Sequence, residues 1–401
     1  KLRADYGVIG NQSGIGRYSG YQTWSYGATG YTTPGSYAPK GWKLTQNAAP
    51  NTALTWEKRK TVDAGLDFRL WDRFYGTLDW YQTNTTDLLM SAPISYAMAG
   101  QTSLLQNVGE LRTRGFEFDL GVDIIKTPDI LWSFSVNGTH YTNKIIGVPE
   151  GIGTEALNGN WTSGIDGWSR AGGGAVSNIV YLRGKGKDLY NMYLFKYGGV
   201  DQATGLPLIA STVSSTNIDN LKKTSGNVYG DIVEGNTVYT TDYTLATRQE
   251  FGDATPDFIG GFGTSFKWKN LDFSFLFRGA ADFMVLNTKR IYYENSVSLP
   301  FNLLASAIDS PLNDSAVFSD YYLEKGNYLK LDNLTLGYTF RFPKLSWLDH
   351  IRIYATATNL WTITGYTGVD PEVGSGLTPG FDDSGYYPRA TTYLFGLNIK
   401  F

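Results

Sequence analysis

Apolar and polar residues alternate with a period of two along most of the chain, and the helical period is almost absent. In residues 61–70 the apolar set is Val62, Ala64, Leu66, Phe68 and Leu70, with Thr61, Asp63, Gly65, Asp67 and Arg69 between them. Residues 115–125 repeat the rule, with Phe116, Phe118, Leu120, Val122 and Ile124 against Glu117, Asp119, Gly121 and Asp123. It returns in 130–141 (Trp132, Phe134, Val136), in 271–278 (Leu271, Phe273, Phe275, Phe277) and in 391–401 (Tyr393, Phe395, Leu397, Ile399, Phe401). In 328–342 the apolar positions switch from odd to even near Asn333, which predicts a β-bulge. Weaker alternation marks 2–9, 74–83, 258–268 and 350–359. The pattern predicts an all-β chain of ten strands.

The connections alternate in length. Tight turns are expected at Trp71 to Arg73, Lys126 to Asp129, Lys269-Asn270 and Pro343 to Asp349. Between them lie long segments: 10–60, 84–114, 142–257, 281–327 and 360–390. An antiparallel transmembrane β-barrel of the outer membrane has this asymmetry, with short periplasmic turns and long extracellular loops. Trp71, Phe74, Trp268 and Trp361 fall at strand ends, where interfacial aromatic girdles sit. A large soluble β-sandwich, solenoid or propeller would share the alternation. No repeat of fixed period favours a solenoid or propeller, and a sandwich has no reason to sort its loops by length. In a barrel, Phe116, Phe118, Leu120, Val122, Phe273, Phe275, Phe277, Phe395, Leu397 and Ile399 should face lipid. Asp67, Arg69, Glu117, Asp119, Asp123 and Asn398 should face the lumen, because a charge facing hydrocarbon costs about 2–4 kcal/mol at mid-bilayer.

Composition narrows the function. Lys plus Arg total 34 and Asp plus Glu 37, a net charge of −3, so the basic excess of a nucleic-acid binder is missing. Cysteine is absent, which removes disulfides, thiolate zinc sites and Cys nucleophiles. No apolar run is long enough for a transmembrane helix. The mean hydropathy of −0.24 resembles that of a soluble protein, but half-apolar barrel strands give the same value. His140 and His350 have no motif-placed Ser and Asp. The clusters Gly172 to Gly174 and Gly260-Gly261 lack the following helix that a phosphate loop needs. Asp370, Glu372, Asp382 and Asp383 share one loop without EF-hand spacing, and solvated loop acids are the favoured reading. No catalytic residue, metal or cofactor is expected, and the chain does not read as an enzyme.

An ordered series of segments carries a resemblance. It runs PNTALTWEKRKTVDAGLDF, LDWYQTNTTDLLM, LLQNVGELRTRGFEFDLGVD and LWSFSVNGTHYTNKI between 50 and 145, then PDFIGGFGTSFKWKNLDFSFLFRGA from 256. It closes with YLKLDNLTLGYTF, IRIYATATNLWTITGYTGVDPEV and YYPRATTYLFGLNIKF. The series resembles the C-terminal part of the SusC/RagA-type TonB-dependent outer-membrane transporters of Bacteroidota. It touches nearly the whole chain, apart from stretches within 10–50, 150–185 and 210–250. The resemblance implies a plugged barrel of about 22 strands, of which residues 1–401 would form about the C-terminal half of the wall. The plug, the remaining strands and the TonB-contacting segment would then be N-terminal. It also implies a SusD-like lipoprotein as lid, import of oligosaccharides or peptides, membrane lipid around the wall, and a dimer of transporter–lipoprotein pairs. VDPEV recurs in that family at this place, which reads as a structural turn. The opening KLRADYGVIG, without Met or signal peptide, reads as the start of a fragment, and the final YLFGLNIKF as a true C-terminus.

Aromatic residues crowd the expected loops: Tyr18, Tyr21, Trp24, Tyr26, Trp42, Trp161, Trp168, Tyr292, Tyr293, Tyr366, Tyr386 and Tyr387. Aromatic faces stack on sugar rings and pack on peptide side chains. Trp161, Trp168, Arg170, Tyr292, Tyr293 and Tyr366 are therefore the candidate ligand contacts, although for any one of them taken singly, packing of the loops on themselves and on the lid partner is the favoured reading. The sequence leaves three functions: nutrient import, a SusC-like structural or docking subunit of a larger envelope complex, and a soluble carbohydrate-binding β-protein.

Overall fold

The structure, a computed structural model, describes residues 1–28, 42–48, 50–94, 103–148, 160–164, 179–224, 227–294, 302–312, 319–373, 379–382 and 387–401. Ten strands form one antiparallel sheet: β1 (Leu2–Asn11), β2 (Glu57–Leu70), β3 (Phe74–Pro93), β4 (Ser103–Lys126), β5 (Ile130–Gly147), β6 (Phe258–Trp268), β7 (Leu271–Ala281), β8 (Tyr328–Arg341), β9 (His350–Thr364) and β10 (Thr392–Lys400). They lie side by side in chain order, with β1 at one edge and β10 at the other. β1 pairs with β2 and β10 with β9, and among the described residues β1 and β10 do not pair with each other. The ten strands therefore do not close into a barrel among themselves.

The short turns are where the pattern placed them. Trp71 and Asp72, with φ of 52° and 56°, reverse the chain between β2 and β3. Lys269, with φ 53°, does so between β6 and β7. The expected bulge is present too. Leu331 pairs with Phe277 and Asn333 with Leu276, so Asp332 is the extra residue and the apolar parity switches there.

Register lines residues into rows across the sheet. One row runs Asp67, Thr77, Asp119, Asn137, Gly261, Arg278, Lys330, Thr362 from β2 to β9. The next row on the opposite face runs Leu66, Leu78, Phe118, Gly138, Gly260, Gly279, Leu329, Ile363. Through the middle of the sheet one face is thus polar and the other apolar, as alternation on a pleated strand requires. Phe116, Phe118, Leu120, Val122, Phe273, Phe275, Phe277, Phe395, Leu397 and Ile399 share the apolar face. Asp67, Arg69, Glu117, Asp119, Asp123 and Asn398 share the other. Ion pairs cross the polar face: Arg3 bridges Asp67 and Asp79 at 2.8 Å each, and Arg352 meets Asp272 at 2.5 Å.

The expected long loops need correction. Most of 84–114 is strand, because β3 runs to Pro93 and β4 starts at Ser103. These extensions do not alternate in hydropathy, since beyond a bilayer both faces meet water or protein. Residues 10–60 contain a hairpin of 23–28 with 42–48. Residues 142–257 contain two four-stranded sheets: 248–253, 191–195, 179–184 and 160–164 in one, and 197–200, 207–212, 237–240 and 228–229 in the other. A three-stranded sheet joins 323–325, 284–287 and 381–382. The best-buried apolar residues sit here. Val180, Tyr181, Met192, Leu194, Leu286, Ile291, Tyr322 and Phe381 form one cluster drawn from several loops.

Candidate functional site: the loop-covered lumen

The polar face of the wall is the one that receives the loops, and this defines it as the lumen. After β9 the chain carries Asp370 and Glu372 onto it. The Lys330 ammonium lies 2.7 Å from both Asp370 carboxylate oxygens and 3.1 Å from Glu372 Oε2. The Lys330 side chain has no exposed surface. Arg278 on β7 donates through Nη1 and Nη2 to the two oxygens of Glu372 at 2.8 and 3.0 Å, and through Nε to Asp332 Oδ1 at 2.6 Å. A buried ammonium needs this company, since an unpaired charge would be expelled or neutralised. Burial works to raise the Glu372 carboxyl, but the hydrogen bonds from Arg278 and Lys330 outweigh it and hold the group below the usual range. Asp332, the bulge residue, reaches Arg278 because the bulge re-aims it. The VDPEV segment is therefore an anchored turn, as its reading implied, but the reading of these acids as solvated is overturned: Asp370 and Asp382 are buried and, like Glu372, each pairs with a cation.

Towards β3 to β6 the same face opens into a recess of about 460 Å³ lined by Asp79, Glu117, Asp119, Asn137, Thr139 and Arg278 together with Phe118, Ile259 and Leu276. Carboxylates, an amide and a hydroxyl facing one space offer hydrogen bonds to hydroxyl-rich or amide-rich molecules. Sequence reasoning marked Glu117 and Asp119 as lumen-facing but did not assemble the recess. Asn137 and Thr139 are adjacent to them only through β4–β5 pairing, which spacing along the chain does not reveal.

Above the wall the loop layer supplies the aromatics. Tyr292 and Tyr293 end a short helix, Thr288–Tyr293, their rings 5.9 Å apart. Tyr293 is exposed, and so are Tyr18, Tyr21, Trp24 and Tyr387. Tyr366 lies differently. It packs in a buried cluster with Ala280, Phe283, Val285 and Val373, and its hydroxyl donates to Asp382 Oδ2 at 2.5 Å. Burial, and then that carboxylate, push the Tyr366 hydroxyl far up. Asp382 is itself fully buried, with Lys289 at 3.6 Å and its carbonyl accepting from the Thr288 hydroxyl. In this conformation Tyr366 joins 364–373 to 381–382 and presents no ring to the lumen. The backbone of Trp161 pairs with Arg183 in the first loop sheet. Trp168 and Arg170, with Tyr386 and Asp383, lie outside the described residues, and the side chains of Tyr26, Trp42 and Trp161 are likewise not described. Among the described residues no group of three or more metal-ligating side chains is found, and both histidines hold local bonds: His140 Nδ1 with the Asp257 carbonyl at 2.6 Å, His350 Nδ1 with Asp349 at 3.2 Å.

An apolar outer face, a polar inner one, hairpin turns at one end and folded loops at the other are the features of an outer-membrane β-barrel wall. No helix among the described residues is long and apolar enough to cross a membrane, and such a wall needs none. The family described as "TonB dependent receptor-like, beta-barrel" matches residues 2–360, and the chain belongs to it. It is similar along its full length to TonB-dependent receptor P3 of Formosa agariphila (30% identity, covering 39% of that protein) and to TonB-dependent receptor SusC of Bacteroides thetaiotaomicron (29%, covering 37%). The solved RagAB peptide importer in its open-open state shares the fold, with a TM-score of 0.75 at 24% identity, over 100% of this chain and 40% of that one. The barrel is thus of the SusC/RagA type and belongs in the outer membrane. That rules out the soluble carbohydrate-binding reading. The chain spans about two fifths of the length of these relatives.

Proposed function

We propose that this chain builds the C-terminal part of the wall and loop layer of a TonB-coupled importer of glycans or peptides that works beneath a SusD-like surface lipoprotein. The carboxylate- and amide-lined recess on a loop-covered lumen carries the reading. Its polarity suits a ligand bound through many hydrogen bonds, and the exposed aromatics Tyr18, Tyr21, Trp24, Tyr293 and Tyr387 suit stacking on sugar rings or peptide side chains. Trp161, Trp168 and Arg170 belong to the same loop segment and are retained as proposed contacts. Tyr366 is proposed as a contact only after its segment leaves the buried cluster. The relatives' greater length supports a plug, further strands and a TonB-contacting segment in the complete protein, and the exposed loop aromatics support a lid partner. Pairs of transporter and lipoprotein associating as dimers fit the same reading.

Growth of a deletion strain on defined glycans and peptides, with and without the full-length gene, tests the proposal. Rescue on one nutrient class, lost again when the TonB-contacting segment is removed, is the expected result. Full growth of the deletion strain on every such nutrient would overturn it. A second reading, a docking subunit of an envelope complex, draws on the dense buried core of the loop layer. It predicts recovery with the lipoprotein in gentle detergent but no nutrient phenotype.

A further inference from the structure

The outward face of the wall is apolar through its middle, and its cations are placed unevenly. By register with Val62, Phe116 and His140, the Lys and Arg residues on the outward face of the ten strands are Lys58, Lys60, Arg112, Arg114 and Lys144. All lie at the loop end of β2, β4 and β5. At that end of β6 to β9 the outward residues are Phe258, Ala281, Leu329 and Ile363. Two successive rows carry the charge: Val62, Gln82, Arg114, Thr142 and then Lys60, Asn84, Arg112, Lys144. Arg114 is two residues beyond Phe116, a step of about 7 Å along the strand. The cations therefore sit just above the apolar band, at headgroup height. Arg112 Nε donates to Asn84 Oδ1 at 3.0 Å, and Lys58 meets Asp87 at 2.9 Å. The other nearby acids are Glu110 at the top of β4, Asp188, which forms a backbone bridge with Lys144, and Asp257 beside His140, so five cations face four acids. The patch keeps a net positive charge.

We propose that the upper outer face of β2 to β5 binds the phosphate-bearing headgroup of an anionic lipid of the outer leaflet. Guanidinium groups take phosphate through paired donors, and ammonium groups add point charges. Below them Val62, Trp80 and Phe116 offer an apolar surface to acyl chains, so one lipid meets both halves of the patch. Basic clusters flanking membrane-spanning segments select anionic headgroups in this way. The site is separate from the lumen and from any nutrient path.

The test uses the full-length protein in mild detergent and native mass spectrometry with bisphosphorylated lipid A, the same lipid dephosphorylated, and inorganic phosphate. Retention of the phosphorylated lipid, little of the dephosphorylated one, and no displacement by an equal concentration of phosphate are expected. The triple variant K60Q/R112Q/R114Q should bind about a hundredfold more weakly, and R112K/R114K, which keeps the charge but not the paired donors, should lose less than the triple variant. Equal binding of both lipids overturns the proposal, as does unchanged binding by the triple variant or ready displacement by free phosphate. So does loss of a protein–protein contact in that variant with lipid binding intact. Should the triple variant fail to reach the membrane, the comparison of the two lipids on the unaltered protein decides.

Discussion

Lys330 has no exposed side-chain surface, and its ammonium is held by Asp370 and Glu372. Replacing it with Met leaves two carboxylates facing each other in a poorly hydrated place, and removing one partner of a buried pair costs about 3–5 kcal/mol. Lys330→Met should lower the melting temperature in detergent and admit protease to 365–373, whereas an uncharged pair at both ends restores part of the loss. Unchanged cleavage of that segment would show that the anchor is not structural. Tyr366→Phe removes the hydroxyl from Asp382 and should cost about 1–3 kcal/mol by leaving a buried acceptor short of a donor, which a melting curve reads. Two loop carboxyls respond to pH in opposite directions. Glu372 has a lowered folded pKa, so its contribution is present above the ordinary carboxylate range and is lost as pH falls through the folded value. In Asp253 burial, reinforced by Asp188 and opposed by hydrogen bonds from Thr255, pushes the carboxyl up to about 6. The folded state therefore holds that proton more tightly than the unfolded chain. Stability of the first loop sheet should fall as pH rises from about 4 to 6. Hydrogen exchange across that range should show the slope in the native protein and its disappearance in Asp253→Asn.

Among the elements, the wall strands were legible because each has one lipid-side and one lumen-side face, and a two-sided environment writes itself into the sequence as alternation. Even Asp332 betrayed the bulge by a change of parity. The upper halves of β3 and β4 were not legible: residues such as Asn84, Thr85, Arg112 and Thr113 have no hydrocarbon on either side. The loop sheets escaped for another reason. Their strands are two to seven residues long, too short for a window to contain a clear period, and some of their partners come from distant parts of the chain. The recess shares that limit, since Asp79, Glu117 and Thr139 meet only through pairing. A prediction belongs at this scale. A Cβ on Gly138 would come within 2.7 Å of the Phe118 and Phe258 rings. Gly138→Leu should displace those rings outward and cost about 1–3 kcal/mol by overpacking. Reduced heat resistance of the folded band on a semi-native gel is the expected reading, and an unaltered band would count against it.

At the scale of the whole molecule, β1 and β10 each leave one line of backbone donors and acceptors without a partner strand among the described residues. Hydrocarbon offers such groups no partner. Residues 1–401 expressed alone should therefore remain in the aqueous or aggregated fraction, while the full-length protein enters the membrane. Membrane insertion of the isolated segment would mean that these edges find each other or a second copy. The loop core adds a matter of order in time. Its cluster draws Val180 and Met192 from the chain between β5 and β6, Leu286 and Ile291 from that between β7 and β8, and Phe381 from that between β9 and β10. If the hairpins insert in succession, those pieces reach the cell surface one after another. The core cannot condense until the last of them has crossed, so its compaction acts as a clock for biogenesis, and protease resistance of 179–254 should appear only when β9 and the chain beyond it are in place.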